Sequence, residues 1–198
     1  MVSNLKEIEE KVKIPKNPYD IKITNIVFGV DLSGSVPLDR IANTLEDAEY
    51  EPESFPGLVY RIVDYGATAL VFTSGMCILS GVNTVEKAYQ AAKKMIEDFK
   101  SVGVKFEKEP KMKIVNLVIS ANIKKPLDLN RIVYELGDCE YEPEQFPGLI
   151  HRMEDTGVVI LIFNSGRVIV TGSKDVKKSL KSIQLLEKRL EDIGAIIK

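Results

Sequence analysis

Short apolar runs separated by turn residues occupy much of this chain and predict β-structure. Residues 19–30 and 113–123 are rich in β-branched side chains, and each predicts one strand. Residues 49–81 and 140–172 each break into about four apolar runs, with Pro, Asp, Ser and Gly between them. Each of these segments therefore predicts four short strands, and strands joined by tight turns favour antiparallel pairing.

Helical spacing of apolar residues is clearest in two long segments. Residues 84–102 carry a one-sided apolar stripe that begins after Thr84, a candidate N-cap, and ends at Gly103. Residues 174–193 repeat this pattern, and shorter helices are predicted at 37–46 and 127–136. Each half of the chain thus predicts a strand, a short helix, four strands and a long helix.

An internal repeat divides the chain. The stretch EPESFPGLVYRIVDYGATALVFTSGMCILSG at 51–81 returns without a gap at 142–172 as EPEQFPGLIHRMEDTGVVILIFNSGRVIVTG, 91 residues later. A repeat of this length is one compact supersecondary unit. We therefore predict a charged, Pro-containing tail at 1–18, where 5–12 has weak helical character, then repeat 1 at 19–107 and repeat 2 at 108–198.

The central strands are apolar on both faces. In 68–72 and 158–163 the residues directed to either face of the strand are mostly apolar. A sheet with one solvent-exposed face instead alternates apolar and polar residues. One-sided helices can cover one face, and the other face stays open for a partner. The alternative is a sandwich in which the repeats bury these faces against each other, which ordinary fold frequencies favour by about two to one.

Four phenylalanines favour the open face. Phe55 and Phe72 are 17 residues apart, as are Phe146 and Phe163, and each lies at a turn or a strand end. A hydrophobic core that is closed on both sides does not require phenylalanines at turns and strand ends. Paired aromatic wedges at both ends of a repeated sheet suit the prying apart of DNA base steps.

Composition narrows the function classes. The chain has 198 residues, 44% hydrophobic and 28% charged, with a net charge of −2, so a DNA-binding surface requires local clusters of basic residues. Its apolar runs are far shorter than a membrane span and its N-terminus lacks a signal-peptide core, which predicts a cytoplasmic protein without a membrane partner.

Cys77 and Cys139 lack metal-ligand spacing. No phosphate loop, zinc motif or nucleophile motif is present, so we expect no enzyme, catalytic residue, metal or cofactor.

Several motifs together resemble a known family. They are Asn25-Ile26-Val27 with Asn116-Leu117-Val118, the duplicated EPE-x-FPGL block, Leu-Val-Phe-Thr-Ser-Gly with Leu-Ile-Phe-Asn-Ser-Gly, and Ile-Leu-Ser-Gly with Ile-Val-Thr-Gly. From residue 19 to the end, the chain is similar to archaeal TATA-binding proteins. The resemblance implies an α+β fold: a pseudo-twofold saddle with one curved antiparallel sheet of about ten strands and four helices on its convex face.

The resemblance also implies a general transcription initiation factor, nucleoid-associated in a cell without a nucleus. Its expected partners are the minor groove of the TATA element, transcription factor B and the RNA polymerase complex. A self-dimer formed through the open face without DNA is a further expectation.

Site residues follow from the same resemblance. The phenylalanine pairs are the inserted wedges, a device of which this family is itself a standard example. The asparagines and hydroxyls contact central base edges, the aliphatic residues pack on the groove floor, and the arginines and the two Ser-Gly serines contact phosphates. The implied DNA-contacting set is Asn25, Val27, Phe55, Pro56, Arg61, Leu70, Phe72, Ser74, Ile78, Ser80, Asn116, Val118, Phe146, Pro147, Arg152, Leu161, Phe163, Ser165, Arg167, Ile169 and Thr171.

The transcription factor B surface implied in this way comprises Glu142, Glu144 and Gln145. Eukaryotic relatives often carry a basic residue where this chain has Ser54, Met76 and Gln145, so fewer phosphate contacts are expected here.

Other interpretations stay open at this point. The acids at 142 and 144 and the two arginines at 61 and 152 are also ordinary solvated surface residues. A small-molecule-binding or enzymatic two-layer α+β domain predicts a closed apolar pocket under the sheet. A protein-only scaffold predicts a helix docked on the open face and negligible DNA affinity.

Overall fold

The computed structural model describes residues 5–197, which form ten β-strands and five α-helices. The sheet is antiparallel, so the α+β class predicted from the sequence is confirmed. The strands are β1 Lys22–Asp31, β2 Ala48–Glu49, β3 Leu58–Ile62, β4 Ala67–Val71, β5 Met76–Val82, β6 Lys111–Asn122, β7 Cys139–Glu140, β8 Leu149–Met153, β9 Val158–Ile162 and β10 Arg167–Ser173. The helices are α1 Leu5–Val12, α2 Leu38–Ala42, α3 Val85–Ser101, α4 Leu129–Leu136 and α5 Val176–Asp192.

Two compact units divide these elements. Unit 1 contains residues 5–10 and Asn25–Val115, and unit 2 contains Lys11–Thr24 and 116–197. The strand order is β2-β3-β4-β5-β1 in unit 1 and β7-β8-β9-β10-β6 in unit 2. The register also repeats at the 91-residue offset, since Leu70 faces Ile78 and Leu161 faces Ile169. The predicted boundary between residues 107 and 108 stays a prediction.

One long helix covers one face of the strands in each unit. In unit 1, α3 begins after Thr84, whose hydroxyl accepts a hydrogen bond from the backbone N–H of Lys87 at 3.2 Å, as an N-cap does. Its stripe of Ala88, Met95 and Phe99 is fully buried. In unit 2, Asp175 caps α5 in the same way by accepting from the Lys178 N–H at 2.7 Å. The core of each unit lies between this helix and the adjacent strand face.

The opposite strand face is left open in each unit. Along β4 and β9, fully buried residues alternate with half-buried ones, and the half-buried positions are still mostly apolar. The sequence expectation of strands that are apolar on both faces, one of them covered, therefore holds within each unit. Half-exposed aliphatic side chains in a row are unusual for a surface without a partner.

Differences from the sequence expectations lie at short elements. The helix expected over 37–46 spans only Leu38–Ala42, and the 127–136 helix begins two residues later, after its N-cap Asp128. The segment interpreted as a tail contains the helix α1, in which Ile8 is buried. Residues 1–4 of that segment lie outside the described residues. Cys77 is buried in the core, whereas Cys139 is only half-buried.

Candidate nucleic-acid interface

The open face of unit 1 is an apolar surface with a few polar groups. Val59 faces Leu70 across β3 and β4, and Leu70 faces Ile78 on β5, which makes a continuous aliphatic row. All three side chains are half-buried. Val27, Phe72 and Ser80 have the same intermediate exposure and extend this surface. We call the surface formed by these six residues, together with Asn25, open face 1.

Unit 2 builds the equivalent surface from its own strands. Ile150 faces Leu161, and Leu161 faces Ile169, in the register of unit 1. We call this surface open face 2; it comprises Asn116, Val118, Ile150, Leu161, Phe163, Ile169 and Thr171, all half-buried. The strands thus bring together the aliphatic, amide and hydroxyl residues that the sequence singled out in each half.

A pair of phenylalanines lies at one end of each open face. The rings of Phe55 and Phe72 meet edge to face with centroids 5.9 Å apart, and Phe146 and Phe163 show the same 5.9 Å separation. Phe55 is 38% exposed and Phe146 is 39% exposed. Large aromatic rings at this exposure are available to a partner, and the edge-to-face contact orients each pair.

Backbone hydrogen bonds hold the exposed member of each pair in a tight turn. The N–H of Phe55 donates to the carbonyl of Glu51 at 2.9 Å, and the N–H of Phe146 donates to that of Glu142 at 2.9 Å. The glycine two residues later lies under both rings. A Cβ at Gly57 would meet Cε1 of Phe55 at 2.7 Å and Cε1 of Phe72 at 3.1 Å. The repeated FPG sequence therefore positions the aromatic pair by leaving room for it.

The two asparagines are fixed by glycine backbone. The side-chain oxygen of Asn25 accepts from the N–H of Gly81 at 3.1 Å, and that of Asn116 accepts from the N–H of Gly172 at 2.9 Å. Both glycines have positive φ, 93° and 89°. Because the oxygen is occupied, the remaining hydrogen-bonding capacity of each amide lies in its NH₂ group, which carries two donor hydrogens. The NH₂ group of Asn116 also donates to the hydroxyl of Thr171 at 2.9 Å.

One arginine at the edge of each open face forms an ion pair with a glutamate. Arg61 donates from both terminal nitrogens to Glu49, at 2.7 and 3.1 Å, and this ion pair holds the pKa of the Glu49 carboxyl below its usual value. Arg152 makes one such bond to Glu140 at 3.1 Å. Both pairs are largely exposed, so they are weak and exchangeable. A phosphate would compete with these carboxylates for the guanidinium groups.

The remaining predicted site residues lie at turns and edges. Ser74 and Ser165 are exposed, and each hydroxyl accepts a long bond from a backbone N–H two residues later, at 3.4 Å. Arg167 and the prolines 56 and 147 are exposed. Glu142, Glu144 and Gln145 form an exposed turn next to Phe146, in which the Gln145 amide donates to the Glu142 carboxylate.

Comparison with known proteins matches both repeats. The family model described as transcription factor TFIID, or TATA-binding protein, matches residues 20–102 and again residues 111–193. The chain belongs to the TATA-binding protein family. Its relatives in this family include the TATA-box-binding proteins of Archaeoglobus fulgidus, 40% identical over 89% of this chain and 97% of the relative, and of Aeropyrum pernix, 37% identical over 99% and 96%.

A solved structure agrees with this family assignment. The TATA-binding protein of Methanococcus jannaschii matches with a TM-score of 0.77 and 40% identity, covering 88% of this chain and 98% of that chain. TATA-binding proteins are promoter-binding transcription factors, so the family is one of DNA-binding proteins and not known as a family of enzymes. Among residues 5–197, no helix is long and apolar enough to cross a membrane.

Sequence analysis missed three sets of residues that shape this site. They are Gly57 and Gly148 under the rings, Gly81 and Gly172 at the asparagines, and Glu49 and Glu140 at the arginines. Each set is related by the 91-residue offset, so the repeat itself carried a usable signal. The ion pairs, however, depend on the register of the two-residue strands β2 and β7, which no periodicity identifies.

Proposed function

We propose that this protein binds the minor groove of the TATA promoter element, bends the DNA by phenylalanine insertion, and recruits transcription factor B and RNA polymerase. The observation that carries the proposal is the pair of open apolar faces, each with an aromatic pair at one end. The family's promoter-binding character supports the DNA as occupant.

The chemistry of the open faces suits A·T base pairs. The floor of the minor groove at A·T and T·A presents only acceptors, whereas guanine adds an amino donor. The two asparagines present NH₂ donors, because the backbone N–H groups of Gly81 and Gly172 occupy their oxygens. Aliphatic residues such as Leu70 and Leu161 tolerate A·T pairs and leave a guanine amino group without a partner. The surface therefore distinguishes A·T from G·C pairs by its amide donors and by its apolar contacts.

The aromatic pairs supply the deformation. A minor groove must widen and bend before a sheet can lie against it, and inserted apolar wedges unstack base steps at a cost of a few kcal/mol each. Phe55 and Phe146 are exposed and braced by Phe72 and Phe163, so little side-chain reorganisation is needed for insertion. TA steps unstack most easily, which adds sequence preference without base contacts.

A bend assay tests the DNA part of the proposal. A short TATA duplex carrying a fluorophore at each end is titrated with wild type, Phe72→Ala and Phe163→Ala. Wild type should raise the energy transfer between the ends, and each alanine variant should raise it less. Tyr134→Ala, which removes an aromatic that is 87% exposed on α4, is the control and should match wild type. An unbent duplex at saturating protein, or equal affinity for a scrambled duplex, would refute the proposal.

Recruitment is tested with the repeat as its own control. Charge reversal at Glu144 should abolish assembly of transcription factor B on the protein–DNA complex, because the proposed docking turn is in unit 2. The matching change, Glu53→Arg in unit 1, should leave assembly intact. Equal loss with both variants would contradict the assignment of this turn.

A small-molecule-binding domain remains the alternative function. It requires a closed apolar pocket under the sheet, whereas the aliphatic rows on both open faces are half-exposed. No observation on the described residues favours it over DNA.

A further inference from the structure

The outward face of α5 carries a row of lysines. Lys177, Lys181 and Lys188 lie within about 40° of one another around the helix axis, because successive residues of an α-helix turn by about 100°. All three side chains are exposed, and the exposed Lys174 and Lys178 extend the positive charge at the N-terminal end. We call these five residues the lysine row.

The lysine row lies on the side of unit 2 that is remote from open face 2. Ile183, Leu186 and Leu190 of the same helix are fully buried in the core between α5 and the strands. They lie about half a turn away from the lysines around the helix axis. The row therefore points away from the strands, and a molecule bound to open face 2 does not cover it.

The internal repeat shows that the framework does not require this row. At the 91-residue offset, its three central positions are occupied in α3 by Glu86, Gln90 and Glu97, which are also exposed. The two segments differ little in total charge: six basic and four acidic residues give +2 in 174–192, and four basic and three acidic residues give +1 in 83–101. The helices therefore differ in where the charges lie, since only α5 gathers lysines on its outward face.

The pairing of charges differs between the helices in the same way. In α3, Lys94 lies 2.6 Å from Asp98, an opposite charge at the favourable i,i+4 spacing. In α5, Lys177 and Lys181 have this spacing, at which like charges repel. Among residues 5–197, Lys181 and Lys188 form no ion pair. An anionic partner would offset the repulsion within the row.

A leucine within the row favours a protein as that partner. Leu185 is four residues from Lys181 and three from Lys188, so it neighbours both on the helix surface, and it is half-buried. The phosphates of a nucleic acid offer no apolar contact to this side chain, whereas a peptide can place an apolar residue between its carboxylates. A lipid surface is disfavoured because the apolar face of α5, which would insert into it, is buried in the core.

Acidic residues limit the length of the positive surface. Asp175 lies at its N-terminal end, and the exposed Glu191 and Asp192 follow it at the C-terminal end. From Lys174 to Lys188 the row extends over only about 21 Å, at about 1.5 Å per residue. A long polyanion would pass over these acids, whereas a short acidic segment fits between them.

We propose that the lysine row and Leu185 bind a short acidic segment of a partner protein that carries an apolar side chain among its carboxylates. The lysines supply the charge complementarity, and Leu185 supplies the apolar contact. The surface is separate from the open faces, so the acidic segment and promoter DNA can be bound at the same time.

Titration of the free protein with a labelled peptide tests the proposal. The probe is a helical peptide of about 15 residues with glutamates at i, i+4 and i+11, the spacing of the central lysines, and leucines between them. Wild type should bind it with an affinity that falls as salt rises. The triple variant Lys177→Glu/Lys181→Gln/Lys188→Glu copies α3 into α5 and should lower the affinity roughly tenfold at low salt.

A matched variant on the other helix controls for net charge. Lys87→Glu/Lys93→Gln/Lys100→Glu changes the charge by the same amount at exposed positions of α3 and should bind the peptide as wild type does. Equal loss with both triple variants would show attraction by net charge alone and would overturn the proposal. Absence of peptide binding by wild type would overturn it as well, and neither result depends on DNA binding.

A neutral change at the leucine distinguishes a peptide from a nucleic acid. Leu185→Gln keeps the charge and should weaken peptide binding on the order of fivefold, because the apolar contact is lost. It should leave the affinity for a mixed-sequence DNA duplex unchanged. Peptide affinity that is the same in Leu185→Gln and wild type, together with duplex affinity that falls only in the α5 triple variant, would assign the row to nucleic acid instead.

Discussion

Adding one methyl group under the aromatic pair of unit 1 should disturb the proposed DNA wedge without removing either ring. In Gly57→Ala, the new Cβ would lie 2.7 Å from Cε1 of Phe55 and 3.1 Å from Cε1 of Phe72. An ordinary contact begins near 3.4 Å, so the Phe55 ring must retreat by about 0.7 Å and the Phe72 ring by about 0.3 Å. Phe55 is 38% exposed and can move outward, whereas Phe72 is held at the end of β4.

The size of the expected loss in stability follows from the difference in mobility between the two rings. Overpacking in a closed core costs typically 1–3 kcal/mol, and a ring that can swing into solvent brings the cost in the free protein to about 1 kcal/mol. The larger effect should fall on DNA binding, because the swung ring no longer meets Phe72 in the geometry that the wedge uses. We expect an affinity loss on the order of tenfold, about 1.4 kcal/mol, together with a smaller bend.

The assay is a double-mutant cycle. Denaturant unfolding and TATA-duplex binding are measured for wild type, Gly57→Ala, Phe55→Ala and the double variant. If the methyl acts by displacing the Phe55 ring, it should cost little once that ring is absent. Gly148→Ala with Phe146→Ala repeats the test in unit 2, where the same Cβ distance is 2.7 Å. A Gly57→Ala penalty of equal size in the Phe55→Ala background would refute the reasoning.

Three further predictions concern charge and burial. Burial lowers the pKa of His151, so the unfolded chain takes up a proton at higher pH than the folded protein does. The free energy of unfolding should therefore fall on acidification below about pH 6.5. The denaturant midpoint of His151→Phe should fall less over the same pH range than that of wild type. Tyr60→Phe removes the hydrogen bond from the buried Tyr60 hydroxyl to Asp98, 2.5 Å long, and should cost about 1–2 kcal/mol of unfolding free energy, whereas Tyr134→Phe at an exposed site should cost nothing measurable. Glu49→Gln should release Arg61 and tighten DNA binding most at low salt, as measured by anisotropy; unchanged or weaker binding would show that the ion pair does not compete with phosphate.

The internal repeat made most of this fold predictable from sequence. Because residues 51–81 and 142–172 match without a gap, both halves had to share an element order, and the structure repeats the register as well. The open faces were predictable because strands such as β4 carry apolar residues on both faces, at odd and at even positions. The phenylalanine pairs were predictable because their spacing recurs, although only the structure shows the edge-to-face contact within each pair.

Other features depend on contacts that no local pattern encodes. The strands β2 and β7 have two residues each, too few to show a period, yet they place Glu49 and Glu140 against the arginines. The helix α1 was weak in sequence because a short, highly charged segment has little helical stability without tertiary packing, which Ile8 supplies here.

The glycine N–H groups that hold Asn25 and Asn116 also limit how this surface could change its target. An unrestrained amide can rotate by half a turn and exchange a donor for an acceptor, so one residue could serve two kinds of base edge. Here the rotated amide would set its NH₂ group against the backbone N–H of Gly81 or Gly172, two donors with nothing to receive them. Flipping the asparagine alone would therefore not adapt this surface to guanine. Such a change requires either a side chain with two acceptor oxygens at these positions or a remodelled bend of β5 or β10 around the glycine.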